Sequence, residues 1–229
     1  RDENGAKMSK SRGNVVNPDE YRYGADVFRM YMVFLGPYEE GGDFRDEGIT
    51  GIRRFIEWVW RTTCEHLKTP AAPADADGLR RATHKAIKKV SEDLETLRYN
   101  TAIAALMTLS NDMRKMGPPD RESLEALIVM IAPFSPHISE ELWEMLGHED
   151  GVFQAAWPSF DEALTIEDNV TMVVQVNGKV RGRLTLPRDT AEADVLAAAL
   201  AEEGVQGALG DRDIRRQVVV PNRLVNFVV

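Results

Sequence analysis

The chain has 229 residues, 43 % hydrophobic and 28 % charged, which excludes global disorder and allows a core without metals or disulfides. One cysteine, Cys64, excludes an internal disulfide or a Cys-rich zinc site, and no apolar run reaches the ~18 residues of a membrane span. The net charge of −9 argues, taken alone, against a nucleic-acid partner, because phosphate binding needs a positive surface.

The N-terminus, Arg-Asp-Glu-Asn-Gly, is neither a signal peptide nor a start methionine, so the chain reads as a fragment. Residues 1–18 are polar, broken by Gly5, Gly13 and Pro18, and predict a loop. Asp26 is placed to N-cap a helix over Val27–Leu35, stopped by Gly36-Pro37. A glycine-rich connector runs to residue 48. From Ile52 the helical period takes over: Ile52, Phe55, Ile56, Val59, Trp60 and Leu67 are expected on one face. A loop at Thr69–Gly78 precedes the stripe Ile87, Val90, Leu94, Leu97. Asn100 is a candidate cap for a helix ended by Gly117-Pro118-Pro119. Leu124, Leu127, Ile128 and Ile131 form a further stripe, and Ser135-Pro136 predicts an N-cap and first turn for a helix ending at Gly147.

After Glu167 the period changes from 3.6 to 2. Val170–Asn177 and Val180–Leu186 read as strands joined at Asn177-Gly178, a strong hairpin signal. Ala191–Glu203 reads as one helix stopped by Gly204, followed by strands at Ile214–Val220 and Leu224–Val229. The expected architecture is multidomain: mainly an α-helical bundle, then a small α+β (ββαββ) domain. The segments are 1–36, 37–157, an acidic linker at 158–169, and 170–229.

Resolved by region, the charge is +1 over residues 1–36, +1 over 170–229 and −11 between them. Lys179, Arg181 and Arg183 alternate along the second strand, and period 2 predicts one face for all three. Arg215 and Arg216 lead into the third strand, and Arg223 sits in the last turn. Such cations suit phosphate contacts, with release of counterions. The plainer reading is a solvated face that blocks edge pairing. At the other end, Lys7-Met8-Ser9-Lys10-Ser11 packs cations and hydroxyls into a loop suited to a polyphosphate, although it lacks the Walker A order. A solvated basic loop is its plain alternative.

Lys7–Ser11 resembles the second nucleotide-binding motif of class I aminoacyl-tRNA synthetases. Gly13-Asn-Val-Val-Asn-Pro18, Tyr23-Gly-Ala-Asp26 and Ala132-Pro-Phe-Ser-Pro-His-Ile-Ser-Glu-Glu-Leu-Trp143 are similar to that class in the same order. Val174–Gly182 and Val218–Asn226 narrow the resemblance to the bacterial-type leucyl-tRNA synthetases. The resemblance implies a ligase that activates leucine with ATP and Mg²⁺ and transfers it to leucine tRNA. It implies phosphate contact by Lys10, loop closure by Lys7, bracing by Ser9 and Ser11, and packing or backbone contact by Met8. It also implies that residues 1–36 end the catalytic domain, that 37–157 form an anticodon-binding-type bundle, and that the last sixty residues contact tRNA. There Lys179, Arg181, Arg183, Arg215, Arg216 and Arg223 are the candidate RNA contacts.

A cytoplasmic monomer with no membrane partner and no metal site of its own is expected. The leucine pocket and editing site are missing, so the fragment is expected to be inactive alone. Three other readings stand beside this one: a free-standing tRNA-binding module, a valine- or isoleucine-type synthetase, and a structural helical adaptor. One departure is local: only Tyr21 and Arg22 separate Asp19-Glu20 from Tyr23-Gly24, fewer residues than the family usually has.

The remaining candidates read as structural. His66, His84, His137 and His148 are scattered without metal-ligand spacing. Trp58, Trp60, Trp143 and Trp157 suit packing, Glu140-Glu141 a solvated face, and Cys64 a small buried hydrophobe.

Overall fold

A computed structural model of the protein describes residues 1–18, 23–166, 169–210 and 212–229, with the backbone alone at 46–47. The short Asp19–Tyr23 spacing lies outside the described residues. The chain divides into two compact units, Arg1–Thr165 and Ile166–Val229.

The first unit is helical: α1 (Ala25–Phe34), α2 (Asp46–Lys68), α3 (Ala76–Glu95), α4 (Tyr99–Met116), α5 (Arg121–Ile131), α6 (Pro136–Met145) and the short α7 (Glu162–Thr165). Ordinary capping starts two of them. Asp75 accepts the Gly78 amide at 2.9 Å at the start of α3, and Asp120 accepts the Ser123 amide at 2.8 Å at the start of α5. The expected stripe of α2 holds through Val59 and then fails. Trp58 is buried, whereas Trp60 and Leu67 are exposed. The Arg114 guanidinium of α4 lies over the Trp58 ring, 4.6 Å from its centroid, and Trp60, about 200° further round the helix, points away from that contact.

The N-terminus of α6 is built differently from the sequence expectation. Ser135 holds the N-cap position, but its side chain makes no capping bond. Its hydroxyl donates instead to the Asp26 carbonyl at 3.3 Å. The cap comes from α1. Asp26 Oδ2 accepts the Ile138 amide at 2.7 Å, and Oδ1 lies 2.7 Å from His137 Nδ1, which donates because a carboxylate only accepts. Asp26 is therefore not the cap of its own helix. Gly24, with φ 79°, occupies that place. At the other end of α6, Trp143 stacks on His148 at 3.7 Å. Glu125 of α5 accepts from His148 and Arg121, while Arg121 also donates to the Leu146 carbonyl at 2.6 Å. Glu140 and Glu141 are both exposed, as expected of a solvated face, and Glu140 also accepts the Val152 amide at 2.9 Å.

The stretch read as an acidic linker, 158–169, is docked through Asp161 and Glu162, and Trp157 just before it is held to the same helix. Trp157 donates to Ser91 at 2.8 Å, the Asp161 amide donates to His84 Nδ1 at 3.0 Å, and Glu162 of α7 pairs with Lys88. All three partners lie on α3.

The second unit is a four-stranded sheet in the order β2-β1-β4-β3, with β1 (Asn169–Val176), β2 (Lys179–Pro187), β3 (Arg216–Val220) and β4 (Leu224–Val228). β1 pairs antiparallel with β2 and parallel with β4, and β3 pairs antiparallel with β4. The hairpin forms as expected, with φ 51° at Asn177 and 76° at Gly178. Met172, Val174, Val176, Leu184, Val225 and Phe227 pack with Val195, Ala199, Val205 and Leu209 of two helices, α8 (Glu192–Ala201) and α9 (Glu203–Leu209).

The expected single helix is thus broken, so the unit is ββααββ. The break falls at Glu202, which is extended at φ −66°, ψ 125°. Gly204 does not stop the helix but lies within α9, because a Cβ there would sit 2.1 Å from the Arg181 carbonyl oxygen. The glycine lets α9 touch the strand backbone. Gly204→Ala is expected to destabilise this unit by about 1–3 kcal/mol through overpacking. Urea unfolding of the wild-type and variant chains, followed by amide signals of β1 and β2, checks it.

Candidate functional site: a lysine loop and a cationic sheet

Lys10, Ser11 and Arg12 form one 3-10 turn, closed by Gly13 in the left-handed region at φ 67°. Lys7, Lys10, Ser11 and Arg12 are exposed, while Met8 is half-buried against the bundle core. Neither lysine ammonium has an ion-pair or hydrogen-bond partner among the described residues. Two unneutralised cations three residues apart make a ready receptor for an anion. Ser9 and Ser11 brace the turn, their hydroxyls 3.3 Å apart.

What shapes the loop is a pair the sequence reading assigned no role, Asn14 and Asp2. Asn14 Oδ1 accepts the Ser9 amide at 2.9 Å, and its Nδ2 donates to Asp2 Oδ2 at 2.8 Å and to the Lys7 carbonyl at 3.3 Å. Asp2 Oδ1 accepts the amides of Ala6 at 2.8 Å and Asn4 at 3.1 Å. The Asn14 amide, followed by the Ala6 amide, holds the Asp2 carboxyl below the ordinary aspartate value of 3.8. An asparagine beyond a lysine-serine run was the available signal, but its partner twelve residues upstream lies in no local pattern.

The loop base rests on the bundle. The Phe44 amide donates to the Arg1 carbonyl at 3.0 Å, and Phe44 packs edge-on against Tyr31 of α1, with centroids 5.2 Å apart. Asp2, Met8, Asn14, Val16 and Phe44 share the wall of one shallow cavity of about 340 Å³.

In the second unit, Lys179, Arg181, Arg183, Arg215, Arg216 and Arg223 are all exposed, and none has an ion-pair partner among the described residues. The structure does not gather them as alternation predicted. A bulge sits in the ladder: Val174 pairs Gly182, but Gln175 pairs Val180, leaving Arg181 unpaired. Directly opposed residues share a face. Arg183, opposite Val173, therefore faces away from the helices. Lys179, opposite the buried Val176, falls on the helix side. Arg216, opposite Val228, shares the open face with Arg183, but on β3, about 14 Å across three strand spacings. Arg223 precedes β4 and Arg215 bonds near its end, so these two mark opposite ends of the sheet. The result is a dispersed cationic surface, not a stripe.

Among the described residues no group of three or more His, Cys, Asp or Glu could hold a metal ion, and no helix is long and apolar enough to cross a membrane.

A family model for the anticodon-binding domain of tRNA ligase matches residues 78–197. The chain belongs to this family. A second model, tRNA synthetases class I (I, L, M and V), matches residues 1–44, which contain the lysine loop. Among curated proteins, a leucine–tRNA ligase of Herpetosiphon aurantiacus is 43 % identical over 99 % of this chain. One of Rubrobacter xylanophilus is 45 % identical over 98 %. The chain spans only 29 % and 28 % of their respective lengths. A solved LeuRS–tRNA–LeuAMS ternary complex from Agrobacterium radiobacter K84 superposes with a TM-score of 0.80 at 35 % identity, covering all of this chain and 32 % of that one.

The Asp2 bond network yields a direct titration test. A depressed carboxyl pKa means that the network stabilises the loop above the ordinary value of 3.8 and loses that contribution as pH falls through the lowered value. Carboxyl carbon NMR is expected to place the Asp2 midpoint below 3.8 in the wild type and to show it rising in Asn14→Ala. An unchanged midpoint would contradict the bond.

Proposed function

We propose that the chain is the C-terminal part of a leucine–tRNA ligase and supplies its ATP-phosphate loop and tRNA-binding surfaces. The observation that carries this reading is identity of 43–45 % to leucine–tRNA ligases across nearly the whole chain. Two unneutralised lysines on a braced turn and a set of unpaired cations on the terminal sheet support it. The ligase would form leucyl-adenylate from leucine and ATP, with Mg²⁺ entering as the counter-ion of ATP, and then load leucine tRNA.

Lys10, Lys7 and the 3-10 turn would follow negative charge as pyrophosphate leaves, which is electrostatic stabilisation and needs no proton transfer. Met8 would pack toward the adenine side, with Ser9 and Ser11 holding the turn. Residues 1–36 would end the catalytic domain, 37–157 would form the helical tRNA-contacting bundle, and 170–229 would contact tRNA, with the joint between the last two beyond Thr165. The enzyme would work as a cytoplasmic monomer. Leucine is bound elsewhere in the full protein, so the isolated chain would not activate it.

Lys179, Arg181, Arg183, Arg215, Arg216 and Arg223 would meet separate phosphates. Removing one phosphate-binding cation reduces the slope of log affinity against log salt by about 0.7–0.9. The Lys179→Ala/Arg181→Ala variant of the chain is expected to bind leucine tRNA more weakly, with that slope flattened by about one to two. Leucine-dependent ATP–pyrophosphate exchange by the isolated chain is expected at background. An unchanged slope refutes the phosphate role of these residues, and exchange above background refutes the expectation that the chain alone is inactive.

A further inference from the structure

The lysine loop hangs on one amide side chain. Between Lys7 and Asn14 there is no strand ladder, and the one 3-10 turn supplies only its own local bonds. The segment is fixed at its base by Asn14, which bonds the Ser9 amide, the Lys7 carbonyl and the Asp2 carboxylate at once. Asp2 passes the tie on to the amides of Ala6 and Asn4. The two lysine side chains take no part, so the network sets where they start without sharing their chemistry. Only an amide serves here. It must present an acceptor to a backbone N–H and a donor to a carboxylate, and a carboxylate at position 14 would oppose Asp2. An apolar side chain would leave the Ser9 amide and one Asp2 oxygen without these partners.

We propose that Asn14, buttressed by Asp2, is the positioning residue that holds Lys7 and Lys10 in register with the charge growing on the departing pyrophosphate. The inference rests on the reading of the loop as the ATP-phosphate site. Charge stabilisation is effective only when the donor is already placed, and a misplacement of about 1 Å costs about 100-fold in rate. The charge in question grows in the transition state, so a loop out of register loses kcat more than it raises the KM for ATP.

The test is leucine-dependent ATP–pyrophosphate exchange in the full-length enzyme with four variants: Lys10→Ala, Asn14→Ala, Asn14→Asp, and Asn14→Asp combined with Asp2→Asn. Thermal midpoints of all four separate a lost fold from a lost register. Asn14→Ala is expected to lower kcat about 10- to 100-fold while the KM for ATP changes less than about threefold. Asn14→Asp is expected to lower kcat at least as far, because two carboxylates then oppose each other. The double variant exchanges donor for acceptor across the same bond and is expected to recover about tenfold or more over Asn14→Asp, which a side chain acting alone would not do. Wild-type kcat in Asn14→Ala, a loss confined to KM, or a double variant no better than Asn14→Asp overturns the proposal. Unchanged kinetics in Lys10→Ala overturns the ATP reading itself.

Discussion

A carboxylate buried at the N-terminus of another helix ties the first unit together. Asp26 leaves α1 and bonds both the backbone and the first-turn histidine of α6, across more than a hundred residues of sequence. The free amides and positive dipole end of α6 make this the favoured place for an anion, and Pro136 has already removed one amide from the need for a partner. With α1 fixed, Tyr31 is fixed, and Phe44 packs on its ring. The loop base then bonds Phe44 and shares its cavity. A continuous path thus runs from the helical bundle to the lysine loop, through hydrogen bonds, one ring contact and the chain between them.

This path gives the charge distribution a physical sense. The acidity lies in the middle of the chain, which carries −11, and the unpaired cations lie toward its two ends. A chain with a net charge of −9 can therefore present positive surfaces to phosphates, provided those surfaces are held away from internal acids. Lys7 and Lys10 meet that condition, as do the six exposed cations of the terminal sheet. Asp2 is an acid close to the loop, and its carboxylate is already occupied by Asn14 and two backbone amides. It is thereby kept as a support, not a competitor.

The parts of the fold legible in the sequence are those fixed by local pattern. The change of period after Glu167, the Asn177-Gly178 turn and the stripes of α3 to α6 all depend on neighbours within a few residues, except that Leu97, expected in the α3 stripe, lies past the end of that helix and is exposed. What escaped the sequence depends on contacts across the fold. Asp26 looked like a local cap because its partner, α6, is remote in sequence. Gly204 looked like a helix stop, yet the strand backbone beneath α9 is what demands it. Trp58 and Trp60 differ by two positions on the same helix, and Trp58, beneath the Arg114 guanidinium of α4, is the buried one. The candidate site divides in the same way. The lysines were visible as a motif, and the cations of β2 as an alternation. The bulge at Arg181 then redistributed those cations, and the Asn14–Asp2 support could be seen only once residues 2 and 14 were side by side.

The most direct test of this coupling is amide hydrogen exchange in the Asp26→Ala chain. The account predicts faster exchange at Ile138, whose bond to the carboxylate is lost, and also at Phe44 and Ser9, because the loop is referenced to the bundle through α1. A tenfold acceleration corresponds to about 1.4 kcal/mol of lost local stability, within the range of a lost helix cap. Acceleration at Ile138 with Phe44 and Ser9 unchanged would contradict it, and the loop would then be held independently of the helix pair.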